Sequence, residues 1–84
     1  MKLVRHLLVL ILNYVEDHQD RGPYDVPTID GFTDDQIQYH IRMCEEAGWL
    51  LPGEKMNGNG MSKYIRIGEL TWNGHQHLAR YKGQ

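Results

Sequence analysis

The sequence predicts an α+β domain spanning residues 1–84, with three helices and a small antiparallel sheet in the order helix, strand, helix, β-hairpin, helix. Three observations predict this class. Apolar residues recur at helical spacing in three segments. An Asn-Gly-Asn-Gly stretch at residues 57–60 marks a tight reversal of the chain. The 84 residues are 40 % apolar, which is enough for one small core.

The first helix is predicted over residues 2–19. Two neighbouring apolar stripes form the broad face of a helix packed on a core: Leu3, Leu7, Leu10 and Tyr14, and beside them Val4, Leu8, Ile11 and Val15. Val9 and Leu12 fall outside this face and have two interpretations. They either widen burial within the monomer or line a self-association surface.

A short edge strand is expected around residues 24–29, because Pro23 and Pro27 block regular helix formation. The second helix follows with signals at both ends. Thr33 and Gln36 have the spacing of a capping box, and Gly48 supplies the left-handed conformation that ends a helix. The expected buried stripe of this helix is Ile37, Ile41, Cys44 and Gly48.

The hairpin returns through residues 63–70, where period-two alternation places Ile65 and Ile67 toward the core and Tyr64 and Arg66 outward. Gly68 marks either a bulge or a close backbone approach. Thr71 is the expected N-cap of the last helix. The candidates for inward contact on that helix are Trp72, His75, Leu78, Ala79 and Tyr81.

Two motifs carry a resemblance to known proteins. The stretch TDDQIQYHIRMCEEAGWLL, residues 33–51, resembles the recognition helix and first wing strand of winged-helix regulators. The stretch LTWNGHQHL, residues 70–78, resembles their junction between wing and final helix. Together the motifs are most similar to a family of small bacterial and phage proteins of unknown function within the winged helix-turn-helix superfamily.

This resemblance implies duplex DNA binding, with the recognition helix in the major groove and the wing on the backbone or minor groove. It therefore indicates a small, non-enzymatic DNA-binding regulator of phage or prophage type. Between residues 19 and 33 an extended segment replaces the helix that usually positions the recognition helix. The candidate DNA contacts, chosen as outward polar residues of the second helix and the hairpin, are Gln36, Gln38, Tyr39, Arg42, Lys55, Asn57, Asn59, Lys63 and Arg66.

The charge pattern leaves an alternative function open. Residues 33–47 carry a net charge of −3, which opposes contact with phosphates. Residues 16–46 carry −7 and residues 55–84 carry +4, a bipolar pattern that suits a homodimer or another protein partner. The alternative is therefore a protein–protein interaction module on the same scaffold, without DNA binding.

Other classes of function lack a sequence signal. The chain has no Gly-rich phosphate loop or nucleophile motif, so we expect no enzyme and no small-molecule substrate. His40 and Cys44 share a helix face, but nothing completes a four-ligand site, and we expect no metal or cofactor. The longest apolar run has six residues, which is too short to span a membrane, and we expect a cytoplasmic protein.

Overall fold

The computed structural model describes residues 2–18, 24–58 and 61–82. Its elements, in chain order, are α1 (Arg5–Asp17), β1 (Tyr24–Asp25), α2 (Asp34–Glu46), β2 (Glu54–Gly58), β3 (Met61–Ile67) and α3 (Trp72–Lys82). The sheet is antiparallel with β3 in the middle, in the order β1-β3-β2. The predicted α+β class and element order are confirmed. None of the helices in these ranges is both long and apolar enough to cross a lipid bilayer.

Helix α1 supplies the largest share of the core. It packs against both α2 and α3, and its buried residues are Leu7, Leu8, Val9, Ile11, Leu12 and Val15. Val9 is 4 % exposed and Leu12 is fully buried. The self-association surface predicted for these two residues is therefore wrong, and wider burial within the monomer is confirmed. The physical reason is that a helix with neighbours on two sides buries more than one stripe.

Helix α2 begins and ends at the predicted signals. The Thr33 amide donates to Gln36 Oε1 at 2.8 Å, and the Gln36 amide donates to Thr33 Oγ1 at 3.2 Å, so both arms of the capping box form. At the other end Gly48 has a φ of +79°. The amides of Gly48 and Trp49 donate to the carbonyls of Glu45 and Cys44, which is the Schellman arrangement.

Strand β3 does not follow the predicted alternation. Tyr64 and Ile67 are buried, whereas Ile65 and Arg66 are exposed. Glu54 pairs with Arg66 but Lys55 pairs with Tyr64, so the hairpin contains a β-bulge with Ile65 as the extra residue. Because the extra residue reverses the alternation, Tyr64 replaces Ile65 in the core.

The remaining hairpin predictions have mixed outcomes. Gly68 is a close approach, since a Cβ there would lie 2.1 Å from the Leu51 carbonyl oxygen. Gly58 pairs with Met61, as expected for a reversal between them, although residues 59 and 60 lie outside the described part. The edge strand forms as Tyr24–Asp25, shorter than predicted. Pro23 also lies outside the described residues.

Helix α3 is capped by Thr71 as predicted, with the Gly74 amide donating to Thr71 Oγ1 at 3.0 Å. Its inward face differs from the prediction. Leu78 is fully buried and His75 is half-buried, but Ala79 and Tyr81 are exposed and Trp72 is 75 % exposed. The reason is Gly74, where a Cβ would lie 2.1 Å from the Trp49 carbonyl oxygen. This contact turns Gly74 and Leu78 inward, and Trp72, two residues before Gly74, faces away.

Candidate nucleic-acid interface

A concave surface lies between α2 and the β2–β3 hairpin, and we name it the α2–hairpin groove. It consists of two adjoining hollows of about 420 and 270 Å³ that share Gln38 and Ser62. Five of the nine predicted DNA contacts line it: Gln38, Tyr39, Arg42, Lys55 and Lys63. The fold therefore brings together residues that are up to 25 positions apart in the chain.

The other four predicted contacts lie elsewhere or are otherwise engaged. The Gln36 side chain accepts the Thr33 amide in the capping box. Arg66 forms an ion pair with Glu54, with 3.6 Å between Nε and Oε2, and does not line the groove. Asn57 is exposed on β2. Asn59 lies outside the described residues.

Gln38 fixes the hairpin to α2. Strand β1 pairs with β3 only at Arg66 and Ile67, which leaves the edge of β3 at Tyr64 without a strand partner on that side. The Gln38 amide fills this position. Gln38 Nε2 donates to the Tyr64 carbonyl at 2.9 Å, and the Tyr64 amide donates to Gln38 Oε1 at 2.7 Å. These bonds compete with the base contact predicted for Gln38.

Glu45 forms a second connection between α2 and the hairpin. The Tyr64 hydroxyl donates to Glu45 Oε1 at 2.9 Å, and the Gly53 amide donates to Glu45 Oε2 at 3.0 Å. Burial, together with the hydrogen bond to the Glu45 carboxylate, raises the pKa of Tyr64 above its ordinary value. Glu45, one of the acids that give residues 33–47 their net charge of −3, is thus engaged within the fold.

The cations of the groove have partners of their own. Arg42 Nε lies 3.3 Å from Glu46 Oε2, and Lys63 forms an ion pair with Asp34, which raises the pKa of Lys63. Lys55 Nζ lies 4.8 Å from the centre of the Tyr64 ring. All these charged groups are exposed to solvent. Exposed ion pairs contribute little to stability, so a phosphate group can compete for these cations.

His40 and Cys44, the pair considered as metal ligands, are both buried in the core. His40 Nε2 accepts the Val4 amide at 2.8 Å and Nδ1 donates to the Gln36 carbonyl at 2.6 Å, a tautomer inferred from these partners. Burial raises the pKa of the Cys44 thiol to about 12, which disfavours the thiolate that a metal needs. Across residues 2–18, 24–58 and 61–82, no three His, Cys, Asp or Glu side chains are grouped to hold a metal ion.

A second concave surface, not anticipated from the sequence, lies between α1 and α3. We name it the α1–α3 groove; it has a volume of about 390 Å³ and is lined by Leu3, Arg5, Leu8, Val9, Trp49, His77 and Tyr81. The rings of Trp49 and His77 stack with their centres 3.9 Å apart and their planes at 15°. Leu3 and Tyr81 are the sequence signal that could have indicated this groove. Each belongs to a predicted apolar stripe of its helix but lies beyond the residues that the core buries.

The comparisons with known proteins identify the family of this chain but no activity, ligand or partner. No curated protein and no solved structure is significantly similar to this chain. The sequence model of a family described as "Hypothetical protein (DUF2513)" matches residues 1–84. The chain therefore belongs to the DUF2513 family, whose function is unknown.

Proposed function

We propose that this protein is a small, non-enzymatic DNA-binding module of winged-helix type and that its α2–hairpin groove holds the phosphate backbone of a duplex. One observation carries the proposal: Arg42 from α2, Lys55 from β2 and Lys63 from β3 line the same groove. The element order supports it, because a helix followed by a projecting hairpin is how winged-helix proteins present residues to DNA. A regulator of phage or prophage type fits this module.

The contacts favour the backbone over the bases. The three cations, with the Tyr39 and Ser62 hydroxyls, suit phosphate oxygens. Gln36 and Gln38, which could have read base edges, are engaged within the fold. We therefore expect binding with little sequence preference.

On binding, DNA phosphates replace protein carboxylates as the partners of the groove's cations. In the free protein Asp34 and Glu46 pair with Lys63 and Arg42, and in the complex phosphates take those positions. Since three cations contact the duplex, the logarithm of the affinity should fall with the logarithm of the salt concentration with a slope of about −2.7. Weak binding is the expected behaviour, with an affinity that falls about 40-fold when the salt concentration rises fourfold.

The experiment is fluorescence anisotropy on a labelled duplex of random sequence, titrated with protein at low and then rising salt. Lys55→Ala with Lys63→Ala should weaken binding and reduce the slope by about 2. The matched control is Lys2→Ala with Arg80→Ala, which removes the same charge from exposed positions outside the groove. Absence of binding at micromolar protein in low salt, or equal losses in both double variants, would contradict the proposal.

A protein-interaction module is the second candidate, and the exposure of Trp72 favours it. Trp72 is 75 % exposed, although a large aromatic side chain on a small domain is usually covered. Sedimentation of the wild-type protein and of Trp72→Ser over a range of concentrations tests the homodimer version. A dimer that Trp72→Ser dissociates, combined with no DNA binding, would favour this candidate over the first.

A further inference from the structure

The α1–α3 groove has the size and lining of a site for a small molecule. Its volume of about 390 Å³ falls within the range of roughly 300–1,000 Å³ that is typical of ligand sites. Apolar or aromatic side chains from three parts of the chain form its walls: Leu3, Leu8, Val9, Trp49 and Tyr81. Leu3 and Tyr81 are half-exposed, so they leave apolar surface in contact with water at the rim.

Two basic side chains, Arg5 and His77, stand among these walls, in addition to the Tyr81 hydroxyl and the Trp49 indole N–H. Arg5 has no ion pair or hydrogen bond to any residue in the described ranges, in contrast to Arg42, Lys63 and Arg66. The His77 ring is held flat against Trp49, and its nitrogens have no partner within the same ranges. The groove therefore offers one permanent positive charge and one imidazole donor.

We propose that the α1–α3 groove binds a small amphipathic monocarboxylate. The hydrocarbon part of the ligand lies against Leu8, Val9 and Trp49, and its carboxylate accepts hydrogen bonds from Arg5 and His77. A single guanidinium matches a single negative charge.

Octanoate is the probe, and octanol is its uncharged match. The reporter is Trp49 fluorescence in Trp72→Phe, a background that removes the other tryptophan from a position outside the groove. We expect a saturable change with octanoate, with methyl chemical-shift changes at Leu3, Leu8 and Val9. Arg5→Gln, at an exposed position, should weaken octanoate binding about five- to tenfold and octanol binding much less, because octanol carries no charge.

Several outcomes would overturn the proposal. Octanoate could give no saturable change, or octanol could bind as tightly as octanoate. Arg5→Gln could bind octanoate like the wild type, or the methyl shifts could lie outside the groove. A concentration-dependent dimer that octanoate dissociates would show that a second copy of the chain, and not a small carboxylate, occupies the groove.

Discussion

Replacing Gln38 by Met tests whether one side-chain amide holds the hairpin against α2. Methionine keeps the length and flexibility of the side chain but removes its donor and its acceptor. The amide and the carbonyl of Tyr64, now bonded at 2.7 and 2.9 Å, would then lose their partners. Strand β1 does not extend far enough along β3 to replace them.

The expected loss follows from these two hydrogen bonds. Each contributes about 1 kcal/mol net, and an unpaired buried backbone group costs about 1–3 kcal/mol. Because both bonds are partly buried, we expect the free energy of unfolding to fall by about 2–4 kcal/mol. For a domain of this size, each kcal/mol lowers the Tm by about 4–8 °C.

Urea unfolding followed by circular dichroism measures the loss, and amide hydrogen exchange at Tyr64 locates it. Gln38→Glu should also lose stability, because it keeps the acceptor for the Tyr64 amide but sets a carboxylate oxygen against the Tyr64 carbonyl. Gln36→Met is the matched control, since it removes only one exposed arm of the capping box. A loss below about 0.5 kcal/mol in Gln38→Met, or unchanged exchange at Tyr64, would refute the reasoning.

Four further predictions concern the core, the groove and the thiol. Gly74→Ala should destabilise the fold by more than about 2 kcal/mol in urea unfolding, because the new Cβ would meet the Trp49 carbonyl; an unchanged midpoint would contradict the close approach. Asp34→Asn should strengthen duplex binding in the anisotropy assay by releasing Lys63, and weaker binding would argue against the phosphate exchange. The Cys44 thiol, whose pKa is raised to about 12, should react with thiol reagents only in denaturant. The raised pKa of Cys44 also makes the stability depend on pH, because the unfolded chain loses the thiol proton at a lower pH than the folded protein does. The free energy of unfolding should therefore fall as the pH rises from about 9 toward 12. The fall should be smaller in Cys44→Ala, which has no thiol to titrate.

Local signals predicted those features that depend on neighbouring residues. The capping box of Thr33 and the left-handed Gly48 fixed both ends of α2, because a helix terminus is satisfied by groups within one turn. Arg42, Lys55 and Lys63 were predicted one by one as outward polar residues, and their convergence on one groove is seen only in the structure.

Features that depend on pairing between distant segments could not be predicted. Tyr64 and Ile65 exchange their predicted buried and exposed sides because a bulge at Ile65 shifts the register of β3 with β2. No residue within β3 predicts that shift. Trp72 faces solvent because Gly74 approaches the Trp49 carbonyl, a contact across 25 residues. The bonds of Gln38 to β3 have the same origin, since they exist only where β1 stops.

Because the Val4 amide donates to His40, the start of α1 depends on tertiary structure. Val4 has no side-chain cap of its own, and its amide is satisfied by an imidazole 36 residues later. A peptide containing only α1 would lack that acceptor, so its first turn should fray, whereas α2 carries its own start signal in Thr33 and Gln36. In a folding experiment, amide protection at Val4 should therefore appear only together with α2 docking.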